Sequence, residues 1–183
     1  VIMGMHHQQD MRKMGGLKKY MPITYWTSLV GSLALIGFPG FSGFFSKDAI
    51  IEAVHLSHIP GAGIAYYAIL SGVFITALYS FRLVFLVFHG EERFDEETRS
   101  HLHESPLVVT IPLILLAILS IGSGAVAITP MLFGGFFGDG IYVAISHDVL
   151  AELGTHYHGV LGMMIHGLSQ PPFWLAAAGV FPA

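Results

Sequence analysis

Gly37-Phe38-Pro39-Gly40-Phe41-Ser42-Gly43-Phe44-Phe45-Ser46-Lys47-Asp48 lies inside a long apolar run that extends from Pro22 to Val54. A proline, two glycines after it, and then a lysine beside an aspartate do not belong in a plain membrane-crossing helix. Pro39 has no backbone N–H to donate, and its ring clashes with the preceding turn of a helix. Gly40 and Gly43 let the chain leave helical angles at little cost. In a bilayer such a break persists only where protein or trapped water satisfies the freed backbone groups. A charged residue at that depth costs about 2.5–3.5 kcal/mol or more, so it points to function. The stretch therefore predicts a broken helix that presents Lys47 to a buried polar path, with non-helical backbone within Phe38–Phe45 and the second half-helix starting near Phe44.

The rest of the chain supports a membrane setting. Its 183 residues are 54% hydrophobic and only 11% charged, against about 25% charged in soluble domains. There is no cysteine, which excludes disulfides and thiolate-held metals or clusters from this stretch. The net charge of -4 is thinly spread, with no basic patch for nucleic acid. Both ends read as cut, so a fragment of a longer multi-pass protein is expected. The fold class expected is all-α: a polytopic membrane helix bundle with one discontinuous helix, residues 1–183 forming part of a single domain.

Four spans are expected: 22–54 (broken), 64–88, 106–128, and a truncated one at 172–183. An unbroken helix from Pro22 would carry Lys47 about 38 Å along its axis, beyond a hydrocarbon core of about 30 Å. A break and tilt at Pro39–Gly43 keep Lys47 inside. The outer segment 129–171 is long and almost uncharged. Within it Val149, Leu153, Tyr157, Val160, Met164 and Leu168 recur at helical spacing, which predicts one amphipathic helix along the surface. Of the eight lysines and arginines, Arg12, Lys13, Lys18 and Lys19 lie in the first loop and Arg93 and Arg99 in the third. By the positive-inside rule these loops face the cytoplasm and 129–172 the periplasm.

Chemistry centres on Lys47, Asp48 and Glu52. Asp48 and Glu52 are four apart and share a helical face. A desolvated lysine beside a carboxylate suits proton transfer. The plainer alternative is a lysine that snorkels to the outer headgroups. Arg82 is expected to hold a helix end or an acidic loop. The histidines at His6-His7, His101-Leu102-His103-Glu104 and His156-Tyr157-His158 sit in loops without a recognised metal-ligand spacing, so they read as solvated.

Three motifs carry a resemblance: Lys13-Met14-Gly15-Gly16-Leu17, the opening stretch through Asp48, and Tyr79-Ser80-Phe81-Arg82 with Val87-Phe88-His89-Gly90. Together they resemble the antiporter-like subunit L of bacterial NADH:quinone oxidoreductase (respiratory complex I), whose mitochondrial counterpart is NADH dehydrogenase subunit 5. The first two motifs also resemble, more loosely, subunits of multisubunit monovalent cation/proton antiporters. The resemblance implies a proton-translocating, multi-pass subunit in the bacterial inner membrane, with Lys47 in the distal half-channel. It further implies that NADH, FMN, iron–sulfur clusters and quinone are bound by other subunits, and that the partners are other membrane subunits and the lipid bilayer. The family's remaining pathway charges, a glutamate and further lysines on earlier helices, are not in this stretch.

Overall fold

A computed structural model describes residues 1–5, 7–144 and 147–183. His6, from the first histidine cluster, lies outside the described residues. The described residues form helices and turns, without strands. The apolar run breaks into α1 (Pro22–Ile36) and α2 (Ser42–Leu56). α3 (Ala62–Phe88) follows, then a short α4 (Glu96–His101) and α5 (Leu107–Ile128), which continues as a π-type turn over Thr129–Phe133. α6 (Val149–His156), α7 (Gly159–Ser169) and α8 (Pro171–Val180) complete the chain.

α3 and the α5 run Leu107–Phe133 each have 27 residues, about 40 Å of helix, enough to cross a core of about 30 Å with tilt. The third span is thus longer than the 106–128 expected. α3 is the central element and packs against α1, α2 and α8. Small residues set the closest approaches. A Cβ on Gly179 of α8 would lie 2.5 Å from the Phe74 carbonyl oxygen, and one on Gly124 of α5 would lie 2.7 Å from Ser42 Cα. Helices in lipid associate through such close packing. Apart from Thr110 and Ile128, α5 buries none of its residues fully, so its apolar surface is free for lipid or for another helix.

The first and third loops meet at one end of the bundle. Gly16 N–H donates to the His89 carbonyl at 3.1 Å, and Met14 and Leu17 are buried with Tyr25, Val84, Val87 and Phe88. Two of the motifs that carried the resemblance are therefore one packing unit. The Arg93 guanidinium donates to the carbonyls of Arg12 (2.9 Å) and Leu86 (2.7 Å). Arg82, expected to hold a helix end or an acidic loop, lies exposed on α3. Loops one and three share an end, as the charge count requires, and the outer segment packs at the other, against α2.

The outer segment departs from the single helix expected. The chain leaves helical geometry at Tyr157 and His158, and Gly159 sits at φ +83°. This break resets the inward face. Leu153 is buried from α6, and Val160, Met163 and Met164 of α7 pack on Phe44 and Phe45. Gly167 then takes the buried place, while Leu168 is exposed.

α1 begins at Pro22 with no capping side chain of its own. The cap comes from Glu104, 80 residues later. Its carboxylate accepts from Ile23 N–H (2.7 Å), Thr24 N–H (3.3 Å), the Thr24 hydroxyl (2.6 Å) and Ser105 N–H (3.0 Å). It also places negative charge at the positive end of the helix dipole. Burial pushes the Glu104 carboxyl up, but the bonds from Thr24, Ser105 and Ile23 outweigh it and hold it below its ordinary value. The cap's stabilisation is therefore complete above the ordinary glutamate value and is lost as pH falls through the lowered one. Glu104→Ala should cost about 1 kcal/mol at neutral pH, and the difference from the parent should vanish in acid. Thermal unfolding of the full-length protein in detergent across this pH range checks it; a pH-independent difference would exclude the charged cap.

Candidate functional site

The site is built by the way α1 ends. Gly37 adopts a left-handed conformation (φ +77°), and its N–H and that of Phe38 fold back to the carbonyls of Ala34 and Leu33. This is a glycine C-cap of the Schellman type. Phe38-Pro39-Gly40-Phe41 then turns, with Phe41 N–H donating to the Phe38 carbonyl at 3.1 Å and Gly40 at φ +96°. Proline second and a positive-φ glycine third is the pattern of a type II turn. The turn is half-buried, with Phe38 itself exposed. The second half-helix starts at Ser42, two residues earlier than expected, because Pro39 and Gly40 complete the reversal on their own. α2 then packs back on α1 at Gly43, where an added Cβ would stand 1.8 Å from the Ala34 carbonyl oxygen.

This arrangement places Lys47 in the second turn of α2, beside the end of α1. Its ammonium donates to the carbonyl of Leu35, one of the last four carbonyls of α1, which have no partner within their own helix. The positive N-terminal end of α2 disfavours the ammonium. The structure adds the negative C-terminal end of α1, which favours the ammonium. Lys47 is half-buried, and no ion pair reaches it among the described residues. Lys47 and Asp48 line the same small cavity of about 20 Å³, with Gly37, Phe44 and Gly167. That is room for one water.

Asp48 is buried at 8% exposure, and Glu52, one turn on, is half-buried. The shared face expected for this pair is present: both line a cavity of about 190 Å³ that also contains His55, His166 and Gln170. The structure thus brings Asp48 and Glu52 together. Lys47 touches that face only through the small cavity it shares with Asp48. His55 and His166 were not among the expected site residues. His55 could have been found, since it is three positions after Glu52 and shares its face. His166 could not, because only the folding of the outer segment back on α2 brings it there.

Comparison with known proteins adds a lineage to this geometry. Residues 1–65 match the family described as NADH:quinone oxidoreductase/Mrp antiporter, TM. The chain is 52% identical over 199 aligned positions to NADH-quinone oxidoreductase subunit L of Neisseria meningitidis serogroup A, covering 100% of this chain and 30% of that protein. It is 43% identical over 150 positions to subunit L of Rhodobacter capsulatus (76% of this chain, 20% of the relative). It is 41% identical over 154 positions to NADH-ubiquinone oxidoreductase chain 5 of Marchantia polymorpha (83% and 23%). The chain spans about 30% of the length of the Neisseria relative.

The backbone contact at the break can be tested against a nearby control. Gly43→Ala should force the half-helices apart and lower stability by about 1–3 kcal/mol. Gly31→Ala, where an added Cβ meets nothing within 4 Å, should be neutral or stabilising by up to about 1 kcal/mol. Unfolding midpoints of the two full-length variants in detergent give the comparison. Equal midpoints would show that the half-helices do not touch at Gly43.

Proposed function

We propose, from this chain's membership in the family of antiporter-like subunits L of NADH:quinone oxidoreductase, that it is part of a proton-translocating membrane subunit. That subunit couples electron transfer from NADH to quinone to proton pumping. The observation that carries the reading is Lys47, seated at a helix break and bonded to the Leu35 carbonyl, in a chain 52% identical throughout its length to a subunit L. The setting proposed is the bacterial inner membrane, with other membrane subunits of the complex as partners. NADH, FMN, iron–sulfur clusters and quinone are assigned to other subunits, and no redox chemistry to this chain. A multisubunit monovalent cation/proton antiporter is the second reading, because the matching family description includes Mrp antiporters. The names of the Neisseria, Rhodobacter and Marchantia relatives favour the first.

In this mechanism Lys47 exchanges a proton between a hydrated path along the membrane midplane and an exit at the outer face. Two opposed influences act on its ammonium. The Leu35 carbonyl and the C-terminal end of α1 favour the charged form, and withdrawal from water disfavours it. A group so placed changes protonation when a neighbouring charge moves. Asp48, sharing the small cavity with Lys47, is the acceptor on the exit side, and Glu52 lies one turn beyond it.

The decisive variants are Lys47→Ala and Lys47→Arg in the full-length subunit. Both should lower NADH-driven proton pumping in membrane vesicles, normalised to assembled complex, with assembly near normal. Arginine fails because guanidinium keeps its proton at physiological pH. Full pumping by both would leave Lys47 as a structural donor to α1. Orientation has its own check, since the chain lacks cysteine. A cysteine placed at Thr155 should react with an impermeant reagent from the periplasmic side, and one at Ser100 should not. The opposite pattern would invert the assigned topology.

A further inference from the structure

The outer segment has so far been only a cover over α2, yet it brings imidazoles to the carboxylates there. Two cavities meet at that point. The inner one, of about 190 Å³, is lined by Asp48, Glu52, His55, His166 and Gln170. The outer one, of about 340 Å³, is lined by Glu52, His55, His166, His156 and His158. Glu52, His55 and His166 belong to both. Exposure rises along the series: Asp48 is buried, Glu52 is half-buried, and His55, His166 and His156 are exposed. Titratable groups therefore line both cavities between α2 and the surface.

The contact between α7 and α2 is tight. A Cβ on Gly167 would lie 2.5 Å from the Phe44 ring and 3.9 Å from Asp48 Oδ2. The neighbouring His166 is close enough to interact electrostatically with Asp48. Its ring is oriented by Gln170, whose amide nitrogen stands 2.9 Å from Nε2. An amide N–H donates there, so neutral His166 accepts at Nε2 and carries its proton on Nδ1. His55 is held by stacking on Tyr66, with centroids 4.8 Å apart. The bend between α6 and α7 is pinned to the end of α5 by the Thr129–Tyr157 hydroxyl bond of 2.7 Å and by Phe133 stacked on Tyr157. A positioned cavity wall, and not a loose loop, thus carries the histidines.

We infer that α6 and α7 form a proton-exit vestibule on α2, in which His166 is the carrier between Asp48 and the outer cavity. The inference rests on the reading of Lys47 as the proton-exchanging group. In the step, the O–H bond of protonated Asp48 breaks and the proton bonds to Nε2 of His166, which releases the Gln170 N–H it had accepted, leaving a carboxylate and an imidazolium. The imidazolium then gives a proton to the Glu52 carboxylate, or to water in the outer cavity, and returns to neutral. No electrons are exchanged. The outer cavity has volume for several waters, at about 30 Å³ each, and so joins the relay to the bulk.

The test uses inverted membrane vesicles containing the assembled complex, with the full-length subunit carrying His166→Ala. NADH-driven proton translocation per complex should fall by about tenfold, less than the about 100-fold loss of an obligatory acid–base group, because Glu52 and water offer a parallel route. Added imidazole, which fits the outer cavity, should restore most of the loss beyond its effect on parent vesicles. Should His166→Ala fail to assemble, His166→Gln keeps the polar contact to Gln170 and removes the basic nitrogen. Undiminished translocation overturns the inference, and so does a loss that imidazole does not rescue, which marks a merely structural residue. Lys47→Ala, measured in parallel, separates the two ideas. If it stops translocation while the His166 variants do not, only the vestibule falls; if it too translocates fully, the underlying reading falls with it.

Discussion

A helix that stops partway along an apolar run leaves its last four carbonyls without partners in their own helix. The whole site follows from how α1 solves this. Gly37 and Phe38 fold back to satisfy Leu33 and Ala34. The Lys47 side chain crosses from α2 to satisfy Leu35. The lysine proposed to move protons is thus also part of the terminus it sits beside. Any change in the protonation of Lys47 would therefore also alter its hydrogen bond to the Leu35 carbonyl.

The break itself was legible in the sequence because its cause is local. Proline and glycine restrict or release backbone angles wherever they occur, so the placement of the turn within Phe38–Phe45 needed no tertiary knowledge. Its far boundary was missed by two residues, since the pair Pro39-Gly40 turns the chain faster than the run of phenylalanines suggested. The shared face of Asp48 and Glu52 was legible for a similar reason, as helical spacing alone decides it. What escaped were contacts between residues far apart in sequence. Glu104 read as one more acidic residue in a charged loop and is the cap of α1. His166 carried no signal in the sequence and stands over α2. The outer helix was expected as one piece because its apolar spacing continues through Tyr157 and His158. Periodicity carries no information about the bend there, and the bend is what swings His166 over the carboxylates.

The two ends of the bundle are held in different ways. At the loop-one end, backbone carbonyls, the Arg93 guanidinium and the carboxylates of Glu104 and Glu92 knit together α1, α3 and the loops, and the buried residues Met14, Leu17, Tyr25 and Phe88 lie beneath them. At the other end the contacts are ring stacking, hydroxyl and amide hydrogen bonds and cavities, without an ion pair among the described residues. The first arrangement fixes geometry; the second leaves room for water beside titratable groups. The difference accords with a proton path that opens at the outer face.

The contact of Gly43 with the Ala34 carbonyl brings two backbones together with no side chain between them. Side chains ordinarily cushion relative motion of helices by changing rotamer. Here there is nothing to compress, and close-packed protein matter transmits strain with little give. The break therefore works as a stiff elbow and not as a loose hinge. A tilt imposed on α1 from the loop-one end, where Glu104 grips its first turn, is carried around the elbow into the first turns of α2. Lys47 and Asp48, neighbours in those turns, would be carried along as one body, without any change in the turn that separates the two half-helices.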